Sequence, residues 1–201
     1  MSMAVFCQKN SLLQKINYMK IGIDISQLAY PNTGVANYLK NLVEYLIAND
    51  KKNEYVLFFS SMRGGFQMSN FIPTESGPIS NKNVIIKKFK FPPTLLDLLW
   101  NRLHIFPIEW FIGNVDVFIT SDWTEPPSSA RKATVLYDLI VYKYPEETDK
   151  KIVDVQKRKL KWVKKESHMV FCISESSRKD AQELLKIDAD RLSVIYPGVG
   201  I

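Results

Sequence analysis

The sequence predicts an α/β fold, a mostly parallel sheet with helices on both faces, from three observations. Short β-branched or aromatic runs alternate along the chain with stretches of helical periodicity. Turn residues punctuate nearly every junction. The composition, 46% hydrophobic and 24% charged over 201 residues, is that of an ordinary globular domain, which excludes disorder, collagen and coiled-coil arrays. Strands alternating with helices imply right-handed βαβ crossovers and a sheet buried on both sides.

Residues 20–25 (KIGIDI) alternate and are β-branched, so they read as a strand, followed by a loop over 26–33 with Pro31 and Asn32. Gly34 opens a helix to about residue 48, because Val35, Tyr38, Leu39, Leu42, Val43, Leu46 and Ile47 recur at helical spacing. Residues 55–60 form a short aromatic strand, and 61–82, rich in Gly, Ser and Pro, a long loop. A strand over 83–90 is punctuated by Pro92 and Pro93 before a helix over about 94–104. Two further strands, 116–120 (DVFIT) and 133–137 (ATVLY), are separated by a loop with Pro126 and Pro127. A lysine-laden helix over 149–166, a strand over 168–173, a helix over 174–186 and a last strand over 192–196 complete the pattern.

Composition narrows the function classes. The net charge of +6 and pI near 9.2 point to anionic partners: nucleic acid, anionic lipid or a phosphorylated substrate. Two cysteines, Cys7 and Cys172, are too few for a disulfide scaffold or a structural zinc site and suit a reducing compartment. No apolar run approaches the roughly 20 residues needed to cross a bilayer. Residues 1–18 lack the basic and apolar regions of a signal peptide and read as a loose tail, with Met19 directly before the first strand. Lys150, Lys151, Lys157, Arg158, Lys159, Lys161, Lys164 and Lys165 crowd one helix, with Ile152, Gln156, Leu160 and Val163 as its inward stripe. That is first a solvated basic face. The sharper alternative is adhesion to an anionic membrane surface, and nucleic-acid binding comes third, with no accompanying motif.

Ligands of open α/β sheets sit beyond the carboxyl ends of the strands, so chemistry is sought in the loops there. Gly34 at a helix start either lets backbone N–H groups approach a phosphate or merely permits a tight turn with Thr33 as N-cap. Asp138, after Tyr137, is able to bind sugar hydroxyls, orient a base or cap the next segment. Ser174 and Glu175 suit an N-cap and a first helical turn. Glu175 and Glu183 make an E-x7-E spacing, but eight helical residues separate them by about 80° and about 12 Å, so both read as surface carboxylates. His104 and His168 lie away from these loops, so histidine-based triads and metal sites are not expected.

Together the segments KIGIDISQLAYPNTGVANYLKNLVEYL, LWNRLHIFP, VDVFITSDWTEPP, ATVLYDLIVYKYPEE, VFCISESSRKDAQELLKI and RLSVIYPGVG resemble, in order and spacing, the N-terminal domain of family-4-type (group 1) retaining glycosyltransferases of the GT-B fold. The resemblance implies a Rossmann-like, doubly wound domain over 19–196 that shapes the acceptor side of a cleft. Residues 197–201 then begin an interdomain linker, and the donor-binding second domain, with the family's E-x7-E carboxylates, is absent from the chain and is expected in cis or in trans. It further implies sugar transfer from a nucleoside diphosphate sugar to a glycan or lipid-linked acceptor with retention, no metal and no cofactor. Thr33 and Gly34 are the implied contacts to the donor diphosphate, Asp138 and Tyr137 the catalytic candidates, and Ser174, Glu175 and Asp122 the substrate-binding candidates. Tyr137 stands where the family usually has histidine, which removes an imidazole from that site and leaves a phenol. The expected location is cytoplasmic, peripheral at the inner face of the membrane, in polysaccharide biosynthesis. The chain alone is expected to fold without catalysing transfer. The alternative is a stand-alone, non-catalytic α/β module that binds a glycan or a partner chain.

Overall fold

A computed structural model describes residues 18–62, 83–120 and 122–198. All but the last residue of the tail expected over 1–18, most of the loop expected over 61–82 and the last three residues lie outside the described residues.

Seven strands form one sheet: β1 (Lys20–Asp24), β2 (Glu54–Ser60), β3 (Val84–Phe89), β4 (Val117–Thr120), β5 (Arg131–Leu136), β6 (Met169–Cys172) and β7 (Leu192–Val194). Their spatial order is β3-β2-β1-β4-β5-β6-β7. Every neighbouring pair is parallel, so the sheet expected to be mostly parallel is wholly so. Ile23 lies opposite both Leu57 and Ile119, which fixes the register of the centre. The chain winds outward in one direction from β1 and in the other from β4. The switch point between them is where a Rossmann-like sheet opens its crevice.

Side-chain alternation sorts the core into two layers. Tyr55, Leu57 and Phe59 of β2, with Ile23 and Ile25, pack against Leu39, Val43 and Ile47 of α1 (Gly34–Asn49). Val56 and Phe58 face the opposite side, with Phe118, Trp100, Ile108 and Ile112. A strand buried on both faces needs apolar side chains at every position, which explains the unbroken run YVLFF. Gly22 belongs to this second layer. A Cβ there would stand 2.7 Å from Phe118 Cδ2 and 3.0 Å from Ile112 Cδ1, so the strand approaches its neighbours as only glycine allows.

The helix expected over 94–104 is instead one α-turn, α2 (Pro93–Leu96), widened into a π-helical stretch over Asp97–Arg102. The wider turn carries Asp97 and Asn101 inward. Asn101 Nδ2 donates to Asp97 Oδ1 at 3.0 Å and to the Trp123 carbonyl at 2.9 Å, and Asn101 Oδ1 accepts the Glu125 N–H at 3.0 Å. His104, expected within that helix, follows it with φ 53. Two single-turn helices escape sequence periodicity altogether, α3 (Glu109–Ile112) and α4 (Ile140–Lys143). The longer helices α5 (Lys150–Glu166) and α6 (Glu175–Leu184) fall within the expected spans and enclose a further core cluster with Val170, Cys172 and Leu192.

Candidate functional site

The carboxyl end of β1 leads through a 3-10 turn, Ser26–Ala29, into the exposed residues 30–34. Thr33 is extended and caps α1: its Oγ1 accepts the Ala36 N–H at 3.1 Å, and its carbonyl accepts the Asn37 N–H at 3.0 Å. The cap thereby satisfies the Ala36 donor, the Asn37 bond is the first regular one of the helix, and the N–H groups of Gly34 and Val35 remain at its exposed end. The reading of Gly34 as a tight-turn glycine does not hold. The left-handed residue in this loop is Asn32, at φ 71, whereas Gly34 lacks a positive φ, and a Cβ built on it meets nothing within 4 Å.

The carboxyl ends of β5 and β6 supply the other predicted residues. Tyr137 is buried, its ring edge-on to Tyr38 of α1 at 5.6 Å and 84°. Asp138 is exposed, and its Oδ1 accepts the Ile140 N–H at 3.1 Å at the start of α4. Ser174 caps α6 through the Ser177 N–H at 3.0 Å, while Ser177 Oγ donates to the Tyr137 carbonyl at 2.8 Å and ties that helix to the end of β5. Glu175 is exposed and paired with Arg178 at 2.7 Å. Glu183 likewise faces outward toward Lys179, so the E-x7-E spacing is a surface feature. Asp122 accepts from Gln156 Nε2 at both its carbonyl, 3.0 Å, and its Oδ1, 3.2 Å.

The structure adds a charge cluster that the sequence reading missed. Lys159, expected on the solvated face of α5, is 1% exposed and donates to Thr134 Oγ1 at 3.2 Å. The inward stripe of the helix is Val153, Lys159, Leu160 and Val163, and Ile152, expected inside, is exposed. Asp24, at the end of β1, is buried and holds the Ser26 N–H at 2.9 Å. Burial pushes the Asp24 and Asp122 carboxyls up, against the pull of the Lys159 ammonium. Burial likewise pushes the Lys159 amine down, against the pull of Glu125, Asp122 and Asp24. Asp138 lies close enough to raise Asp122 further. Carboxylates from two segments, the end of β1 and the link from β4 to β5, therefore act on one buried cation near the switch point. The only signal for this in the sequence is spacing: position 159 stands three residues after Gln156 and four before Val163, on the inward side.

Behind the crevice, the link from β4 to β5 is an extended segment tucked under α5 rather than a helix. Its backbone groups require partners that a helix would have supplied internally. Lys132 Nζ donates to the Pro126 carbonyl at 2.7 Å and pairs with Glu125 at 3.0 Å and Glu166 at 2.9 Å. Glu125 also accepts from Thr120 Oγ1 and, at 3.1 Å, from Ser167 Oγ. Through Thr120, which also donates to Thr134 Oγ1 at 2.7 Å, this network reaches the carboxyl end of β4. Among the described residues no group of three or more His, Cys, Asp or Glu side chains is placed to hold a metal ion. What the arrangement is suited to is recognition of polar ligands: N–H donors at one wall, carboxylates at the other.

A family model described as Glycosyltransferase Family 4 matches residues 32–201. A solved structure, a glycosyltransferase from Rickettsia africae ESF-5, is similar with a TM-score of 0.42 and 15% identity. That similarity covers 91% of this chain, and this chain spans 44% of the other. No curated protein sequence matches the chain.

Proposed function

The chain belongs to Glycosyltransferase Family 4, and on that premise we propose that it is the acceptor-side domain of an enzyme that moves a sugar from a nucleoside diphosphate sugar to a glycan or lipid-linked acceptor with retention of configuration. Gly34 carries the reading. It opens a helix of 16 residues, stands exposed, adopts no left-handed φ and has no neighbour that a Cβ would touch. Among the described residues nothing requires glycine there, whereas a diphosphate lying across the helix end would. The N–H groups of Gly34 and Val35 would donate to its oxygens, and the helix dipole would favour its charge.

On the opposite wall Asp138 would accept a hydroxyl of the transferred sugar, with Tyr137 holding the strand end in place through Tyr38. Ser174, Glu175 and Asp122, each beyond the carboxyl end of a strand, would meet the acceptor. No cofactor or metal enters this scheme. The lysine face of α5 supports a peripheral contact with an anionic membrane at the cytoplasmic side, where a lipid-linked acceptor of polysaccharide assembly would be presented. Liposome sedimentation checks that contact: binding to anionic vesicles supports it, and no binding contradicts it.

The diphosphate reading is tested by an amide NMR titration with a nucleoside diphosphate. Shifts are expected at Gly34, Val35 and Ala36, with none at those positions in Gly34→Trp, whose side chain would occupy the open space. Binding that leaves these amides unmoved would refute it.

A further inference from the structure

The sheet end opposite the crevice carries an apolar cluster that sugar transfer does not use. Leu98, Leu103, Ile105, Phe106 and Trp110 are all exposed, Trp110 by 72% and Leu103 by 54%. Their segment lies where the strands begin. The Ile108 N–H donates to the Pro127 carbonyl at 3.0 Å, shortly before β5, and the Asp116 N–H to the Lys20 carbonyl at 2.8 Å, at the start of β1.

The segment is pinned in this exposed form. The Ile105 N–H donates to the Leu99 carbonyl at 2.9 Å, and Trp100 Nε1 to the Phe106 carbonyl at 3.0 Å. His104 and Phe106 hold φ values of 53 and 60, a region that bulky side chains rarely adopt. Strain of this kind persists where the surroundings impose it, and here it accompanies large apolar groups held in water. The Phe106 and Trp110 rings meet edge to face at 5.4 Å.

Cations frame the cluster. The His104 ring stacks on Trp162 at 3.5 Å and 7°, and the Nζ atoms of Lys161 and Lys165 lie 5.5 and 4.8 Å from the Trp162 ring centroid. Lys164, one residue before Lys165, is exposed as well, whereas Arg102 is held by Asp97 at 3.2 Å. The carboxylates at this end are already engaged. Glu109 accepts from Ser128, Ser129 and Ala130, Glu166 is held by Lys132 and His104, and Asp116 takes the Lys20 N–H.

We propose that this cluster docks on an anionic lipid bilayer. Leu103, Ile105, Phe106 and Trp110 enter the interfacial layer, while Lys161, Lys164 and Lys165 meet lipid phosphates. Aromatic and aliphatic side chains beside lysines match both parts of that surface, its apolar depth and its negative charge. An apolar protein partner would have no use for the cations. The inference rests on the membrane contact proposed above and deepens it, by adding insertion to electrostatic adhesion.

The full chain is sedimented with phosphatidylcholine vesicles, with and without phosphatidylglycerol, while its tryptophan emission is followed. Anionic vesicles are expected to bind it and shift the emission to the blue. In Leu103→Gln/Trp110→Gln partitioning falls tenfold or more, and Trp110→Gln alone loses most of the blue shift with an unchanged urea midpoint. Lys161→Gln/Lys165→Gln weakens binding only to anionic vesicles. If the chain binds and the apolar double variant binds equally, the docking inference fails and adhesion by the lysine face stands. If nothing binds, both fail. Concentration-dependent dimerisation abolished by the double variant, without vesicle binding, assigns the cluster to self-association and overturns the proposal. None of these outcomes bears on the diphosphate titration, so the sugar-transfer reading is judged separately.

Discussion

Lys159 is buried and interacts electrostatically with Asp24, Asp122 and Glu125, the last of which also pairs with Lys132. Removing one partner from a buried charge group leaves the others uncompensated, which is far more damaging than replacing the whole group. Lys159→Met is therefore expected to lower stability by about 3 kcal/mol at pH 7, read from the urea midpoint. The pH dependence has a definite sign. Asp24 and Asp122 are raised above their ordinary values, so the stability they contribute is complete below about pH 4 and is lost as pH rises through their folded values. Without the ammonium these values rise further, so the deficit of the variant should shrink at acidic pH. An equal deficit at pH 5 and pH 7 would contradict this account. Cys172 plays no part in such chemistry, because burial pushes its thiol up to about 11.

At the level of elements, the extended link from β4 to β5 and the π-helical stretch form one unit. The link contains Pro126 and Pro127, cannot become a helix and passes beneath α5, so its polar groups must be met by side chains. Asn101 meets two of them, the Trp123 carbonyl and the Glu125 N–H, and only the widened π turn brings it into reach. Asn101→Ala should cost about 2 kcal/mol, since it leaves buried donors and acceptors unpaired. Thermal unfolding measures it. A change in midpoint within error would mean that the link is satisfied in some other way. Helix α5 was legible as a helix, and its lysines as a basic face, yet one of those lysines points inward. Periodicity marks which positions face the sheet; it does not tell whether a charge there will find partners.

At the scale of the whole molecule, the sheet predicts a gradient of local stability. Strands β1, β4 and β5 are paired on both sides and covered by helices, whereas β3 and β7 are edges. Hydrogen exchange should show the amides of β1, β4 and β5 opening only with global unfolding and those of β3 and β7 opening earlier. Uniform protection across the sheet would argue against the strand order. The sequence by itself determined the seven strands, the three long helices and the class of fold, because alternation and helical spacing are local consequences of which face of each segment must be dry. It also carried the family, through segments whose order and spacing are written in the chain. The caps at Thr33 and Ser174 were legible for the same reason, since an N-cap bonds only a few residues ahead. Tertiary structure alone decided the rest: the switch point between β1 and β4, the burial of Lys159 with Asp24 and Asp122, and the gathering of Leu103, Phe106 and Trp110 beside the Trp162 lysines. Each joins residues far apart in the chain, and desolvation, which gives a charge or an apolar ring its energetic meaning, exists only once the chain has closed around it.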